Sequence, residues 1–266
     1  MSPRLPRAAR LVLLLLIFVG VDAVLVAIGG NLFLGLAGAA AALGLYVVAV
    51  RFLERRPVTE LARPGAAGQL GRGALIGFGL FTTVVLIIAV FGGYGLDGWG
   101  SFGGMLSLLG LMAAVAVAEE ILFRGVLFRI VEEWTGTWGA LAVSAVVFGG
   151  LHLLNPGGTL VGAIAVMVAG AMVAAAYAWT RTLWLPIGLH FGWNFTESGL
   201  FGAIVSGSDD RTGLLRSVFD GPAALSGGSF GPEAGLPAIL VALVATFWFL
   251  RRAGMMGPRE KERTVS

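Results

Sequence analysis

A chain of 266 residues with 57% hydrophobic and 12% charged side chains, at a mean hydropathy of +0.90, is too apolar for a soluble domain and is read as an integral membrane protein. The net charge of +3 excludes a charge-driven nucleic-acid partner, since Lys261 is the only lysine and most of the arginines flank apolar runs. The lack of Cys excludes disulfides, thiolate metal sites and a Cys nucleophile, which leaves His152 and His190 as the only histidines to weigh.

A spanning helix needs about 20 mainly apolar residues. Such runs occur at roughly 11–30, 32–53, 74–95, 105–131, 137–155, 159–180, 183–205 and 236–252. The fold class is therefore all-α: a polytopic membrane protein of about eight transmembrane helices around a buried polar site. The first run follows Arg4, Arg7 and Arg10, is too long for a signal-peptide core and lacks a clean small-x-small cleavage site, so it is read as a retained anchor. Between the second and third runs, ERRPVTELARPGAAGQLGRG is polar, basic and punctuated by Pro and Gly, as a cytoplasmic loop would be. Residues 206–235 hold Asp209, Asp210, Asp220 and Glu233 against Arg211 and Arg216, a net −2, and are rich in Gly and Pro, so no regular structure is assigned there.

The whole is one membrane domain with four parts. Residues 1–104 supply N-terminal helices and the basic linker, 105–205 the core that carries the polar site, 206–235 the polar loop, and 236–266 the last helix and a basic tail. The arginine-rich start, the basic linker and the tail with Arg251, Arg252, Arg259, Lys261 and Arg263 predict that both termini are cytoplasmic in a multi-pass plasma-membrane protein. The connections near Asn31, Asp97 and Asn155 carry no basic residue, and Trp134, Trp138, Trp179 and Trp184 flank cytoplasmic turns as interfacial anchors. No internal repeat is visible, which counts against a transporter built from inverted halves.

Charge within a span costs about 2.5–3.5 kcal/mol per side chain on insertion scales. AEEILFRG, residues 118–125, places Glu119, Glu120 and Arg124 inside the fourth run. Glu120 and Arg124 stand at i,i+4 and can neutralise each other as a structural ion pair. Glu119 lies about 100° around the helix and is left facing something else. His152 falls near the end of the fifth run, one turn after Phe148, where an interfacial role competes with a catalytic one. His190 and Asn194 form another i,i+4 pair on the seventh run, and Glu197, read as an interfacial carboxylate, extends their face. Asp22 is a solitary acid in the first run, expected to cap or pair. Two carboxylates, two imidazoles, an amide and a guanidinium on three predicted helices are the groups needed to activate water and hold an oxyanion. No H-E-x-x-H pattern competes with them.

EEILFR, FGGLH and HFGWN match the patterns E-E-x-x-x-R, F-x-x-x-H and H-x-x-x-N in the order found in the CAAX protease and bacteriocin-processing (CPBP, or Abi) intramembrane proteases, which include the Ras-converting CAAX endopeptidases. The chain resembles that family over residues 105–205. The resemblance implies that Glu119 and His152 polarise the attacking water, His190 and Asn194 hold the oxyanion, and Glu120 and Arg124 keep the site's shape. It implies a metalloprotease-like endopeptidase in the bilayer, acting on a peptide or a prenylated or otherwise lipidated protein; the Gly-, Ala- and Arg-rich composition is read as bacterial. A divalent metal such as zinc, on Glu119, His152 and His190, is one form of that chemistry; metal-free water activation is preferred, because no i,i+4 His pair preorganises a metal. Family members that cut CAAX substrates work from the cytoplasmic side, whereas this topology puts His152 near the outer end of its helix. The side on which the site opens stays undecided, and the alternatives are a non-catalytic scaffold or immunity protein that binds a peptide, or a transporter.

Overall fold

The computed structural model describes residues 6–28, 30–208 and 212–256. Arg4, Asp209, Asp210, Arg211, Arg259, Lys261 and Arg263, which entered the charge argument, lie outside the described residues.

The helices are α1 (Arg7–Ile28), α2 (Leu32–Ala49, continued by a π-helical turn Val50–Glu54), α3 (Ala66–Val90), α4 (Phe102–Glu120), α5 (Arg129–Leu151), α6 (Leu160–Thr180) and α7 (Trp184–Asn194), with the short α8 (Ala223–Ser226) and α9 (Leu236–Arg252) closing the chain. A π-helical stretch, Ile121–Phe128, joins α4 to α5, and another, Phe195–Leu200, extends α7. Each of the eight runs found in the sequence corresponds to a helical segment, the fourth and fifth being separated by a break within α5 at Gly136, where φ is 71°. Five helical units among the described residues are long and apolar enough to cross a membrane, the longest being the α4–α5 unit Phe102–Leu154. Large apolar side chains stand exposed along their outer faces, Phe33, Leu75 and Val90 among them, as lipid contact requires and water would penalise. The protein is therefore a helical, multi-pass membrane protein.

Local chemistry sets the ends. The Asn31 side chain accepts hydrogen bonds from the Phe33 and Leu34 amides at the start of α2, and Ser101 and Thr159 cap α4 and α6 in the same manner. Two boundaries differ from expectation. α3 starts earlier, at Ala66 after Gly65 in the left-handed region, and stops at Val90, so that Tyr94–Trp99 form a strand, β1. This strand pairs antiparallel with β2, Leu215–Phe219, inside the segment to which no regular structure was assigned. The ribbon and short turns at Gly228–Phe230 and Pro232–Ala234 correct that reading. The physical reason is that two short edges at one end of the bundle satisfy each other's backbone groups, a pairing that neither segment's composition announces.

α3 and α7 form the closest helix pair. A Cβ on Gly73 or Gly77 would collide with the carbonyl oxygens of Leu185 and Leu189, and one on Gly188 or Gly192 with those of Leu70 and Ala74. Small residues four apart on both helices let the backbones touch, which is how helices associate where lipid supplies no hydrophobic drive. His190 sits between Gly188 and Gly192, so this contact sets its position.

The two ends differ in charge. Arg7, Arg10, Arg56, Arg129, Arg181 and Arg251 gather at one end, whereas Arg216 is the one basic side chain at the other among the described residues. At the arginine-rich end the charges are paired: Arg7 and Arg10 with Glu133, Arg181 with Glu132, and Glu54 with both Arg56 and Arg129. The Glu60 carboxylate is bonded by Arg56 and by the Tyr46 hydroxyl. Burial alone would raise the Glu60 pKa, but those hydrogen bonds outweigh it and hold the carboxyl below its usual value.

Two predictions follow from this packing. Gly192→Val should destabilise the detergent-solubilised protein by about 1–3 kcal/mol through overpacking of the α3–α7 seam, read by thermal unfolding; an unchanged midpoint would remove the seam from the account. Because folding lowers the Glu60 pKa, its stabilisation is complete above the ordinary value of 4.5 and is lost as the pH falls below it. Glu60→Gln should therefore flatten the acid limb of the melting temperature–pH profile.

Candidate active site

The polar residues expected to act together are held by α4, α5 and α7, with α6 behind them. Glu120 and Arg124 are both fully buried, and Arg124 Nη1 lies 2.7 Å from Glu120 Oε1. The other end of the guanidinium donates to the Gly170 carbonyl of α6 at 2.7 Å and packs over the Phe148 ring, 5.2 Å from its centroid. The ion pair expected from the i,i+4 spacing is therefore present, and it reaches two further helices. Glu120 Oε1 also meets His190 Nδ1 at 2.9 Å, while Glu120 Oε2 has no hydrogen-bond partner.

Glu119 points elsewhere, as its position around the helix predicts. Its carboxylate lies 3.7 Å from His190 Nε2, so His190 stands between the two glutamates. The helix turns π immediately after Glu120, and α7 does the same after Asn194. Single π turns of this sort reorient the side chains next to them and recur at functional sites.

His152 ends α5. Its Nδ1 lies 2.8 Å from the Phe148 carbonyl, which can only accept, so Nδ1 carries the proton and the neutral ring presents Nε2 as a base. The Phe148 ring stands between the two imidazoles, 4.8 Å from that of His152 and 6.1 Å from that of His190.

Glu119, His152, His190 and Asn194 line one cavity of about 700 Å³, whose walls are otherwise mainly apolar. Glu120 and Arg124 lie behind its wall rather than on it. The cavity extends to Asn155, Ser206 and Glu233 at the arginine-poor end and takes no lining residue from the turns at the other end. The structure thus brings all six expected site residues together, four facing the cavity and two supporting them.

Three acids depart from expectation or were missed. Glu197 is fully buried rather than interfacial; the turn Pro232–Ala234 folds over it, and its Oε1 accepts the Glu233 amide. Asp22 neither caps nor pairs: it lines the cavity from α1, and its Oδ1 is buried without a hydrogen-bond partner. Glu233 is new to the site, held by the Ser206 amide and hydroxyl at 2.7 and 2.6 Å. Its only sequence signal was an acid in a Gly- and Pro-rich loop just before a membrane helix, which is common on surfaces.

Among the described residues, no three His, Asp or Glu side chains are grouped so that they could hold one metal ion. Glu119, His152 and His190 share the cavity without converging on a single point, so they do not fit the three-ligand set of a catalytic zinc site, and no step is routed through a metal.

A helical membrane bundle that encloses carboxylates, imidazoles and an amide in an apolar cavity belongs to the class of proteins that conduct polar chemistry or transport within the bilayer. Residues 101–196, from the cap of α4 to just past Asn194, match the family described as type II CAAX prenyl endopeptidase Rce1-like. The match covers 96 of the 266 residues and supports, for that stretch, a likeness to the CAAX-type peptidases of the CAAX protease and bacteriocin-processing family. No curated protein and no solved structure matches the chain.

The buried pair gives a stability prediction. Arg124→Met leaves the Glu120 carboxylate uncompensated and should cost about 3–5 kcal/mol in unfolding assays, whereas the double variant Arg124→Met with Glu120→Gln, which buries no lone charge, should recover much of that loss. Equal losses in the single and double variants would show that the pair's charge is not what matters.

Proposed function

We propose that the chain is an intramembrane endopeptidase that hydrolyses a peptide bond in a membrane-associated substrate with water activated by Glu119 and His152. The observation that carries this reading is the joint placement of Glu119, His152, His190 and Asn194 on one cavity, with Glu120 and Arg124 neutralised behind it. The catalytic core is assigned to residues 105–205.

In the proposed reaction, the Glu119 carboxylate and His152 Nε2 take the proton of a water as its oxygen adds to the scissile carbonyl carbon. The oxyanion formed accepts hydrogen bonds from His190 Nε2–H and the Asn194 amide. That role requires both nitrogens of His190 to be protonated, Nδ1 donating to Glu120. Collapse of the tetrahedral intermediate breaks the C–N bond, and the proton held by the Glu119–His152 pair passes to the leaving amine. Glu120 and Arg124 act as positioning residues, since they touch His190 and α6 but not the cavity.

Positive-inside reasoning puts the arginine-rich end, and both chain termini, in the cytoplasm of a plasma-membrane protein. The end of the cavity near Asn155 and Ser206 then lies toward the other side, opposite to the approach used by family members that cut CAAX substrates. This favours a membrane-bound peptide as substrate over a prenylated cytoplasmic protein.

The test is purified protein in liposomes with labelled membrane peptides. Glu119→Gln and His152→Ala should each lower kcat/KM by about 10²–10⁴-fold, the usual contribution of a positioned acid–base group. Asn194→Ala should cost about 10²–10³-fold, as loss of one oxyanion donor does. Cleavage by Glu119→Gln at the wild-type rate would overturn the mechanism.

A further inference from the structure

The proposed chemistry uses Glu119, His152, His190 and Asn194 and leaves Asp22 and Glu233 without a task. Both lie outside the 101–196 stretch that matches the family, and both face the cavity. The titratable groups around the cavity are therefore Asp22 from α1, Glu119 from α4, His152 at the end of α5, His190 from α7 and Glu233 from the turn before α9. Three carboxyl groups outnumber two imidazoles.

No Arg or Lys lines the cavity, and the nearest guanidinium, Arg124, is held by Glu120 and the Gly170 carbonyl. Glu233 is bonded to Ser206, but Asp22 Oδ1 is buried with no partner at all. A desolvated carboxyl oxygen without a donor is costly, and such a group in a native structure calls for a donor from outside the fold. The remaining lining is largely aliphatic, with Val19, Val26, Leu108, Leu111 and Met112 around Asp22. An apolar channel with an unsatisfied carboxyl on its wall is complementary to an apolar segment that carries one cationic donor. It is hostile to an anionic one, because like charges are not tolerated where the dielectric is low.

We propose that Asp22 is a specificity-determining residue that selects substrates with a lysine or arginine side chain within an otherwise apolar peptide segment, and that the cavity disfavours an acidic side chain at the same place. This rests on the peptidase reading for its role in turnover, but the selection itself is a property of binding. The ammonium or guanidinium donates to the Asp22 carboxyl group from the cavity, while the aliphatic stem of the same side chain lies along the Val and Leu wall.

The experiment uses the full chain in liposomes and a set of apolar peptides that differ at one position, occupied by Lys, norleucine or Glu. Each is made in a cleavable form and in an uncleavable form with a reduced scissile amide. Wild type should bind the uncleavable Lys peptide at least about tenfold more tightly than the Glu peptide, with norleucine between them, a gap of about 1.4 kcal/mol. Asp22→Asn should shrink the Lys-to-Glu ratio to about threefold or less, and kcat/KM for the cleavable set should follow the same order. Asp22→Asn keeps the shape of a side chain that makes no hydrogen bond within the fold at Oδ1, so a thermal midpoint close to that of wild type is expected and separates lost selectivity from misfolding. If the binding order holds but nothing is cleaved, the peptidase reading falls and the selection stands. Cleavage without discrimination between Lys and Glu, an unchanged ratio in Asp22→Asn, or no binding of any of the peptides overturns the proposal.

Discussion

The interaction on which the rest depends is the buried contact between Glu120 and Arg124. Two opposite charges taken out of water are costly unless their remaining donors and acceptors find partners, and here the partners come from other helices, the Gly170 carbonyl on α6, the Phe148 face on α5 and His190 on α7, with only Glu120 Oε2 and Arg124 Nε of the pair left unbonded. The pair therefore acts as a four-helix junction. It also sorts the neighbouring acids, because a guanidinium occupied by Glu120 leaves Glu119 free to face the cavity.

A second constraint comes from small residues. In lipid, helices gain little from burying apolar surface against each other, so close approach must be built from shape. Gly73 and Gly77 against Gly188 and Gly192 press α3 to α7 on one side, which turns the His190–Asn194 face toward α4 and the cavity. The α3 helix carries no group of the proposed chemistry, yet it sets the distance at which His190 meets both glutamates.

The helices and the six polar residues in and behind the cavity wall were legible in the sequence because both signals are strong in a membrane. Long apolar runs have one stable fate, and charge inside them is rare enough to mark a site. The i,i+4 spacing of Glu120 and Arg124 was enough to anticipate their pairing and the separate direction of Glu119. What escaped was set by tertiary contacts. The β1–β2 pairing joins residues more than a hundred positions apart. Glu233 and Glu197 meet only because a loop folds back over the end of α7. The glycine seam was written as G-x-x-x-G on both helices, residues 73–77 and 188–192, but it gains meaning only once the two are known to be partners.

The roof and the wall of the cavity are fastened differently. The roof segment is held by backbone hydrogen bonds: Gly207 to the Phe230 carbonyl, Leu214 to that of Gly199, and the paired strands beyond. Lifting it would strand those groups at the edge of the bilayer. The α1 wall, which carries Asp22, has only 17% of its apolar window buried, the lowest share of the five membrane-length helices. Apart from its Arg7 and Arg10 pairs with Glu133 and the buried Leu14 and Phe18, moving it aside exchanges one aliphatic neighbour for another, because acyl chains receive its exposed valines and leucines as readily as α4 does. The least costly way to widen the cavity is thus sideways, which turns its weaker wall toward the lipid of the surrounding membrane rather than toward the solution above it.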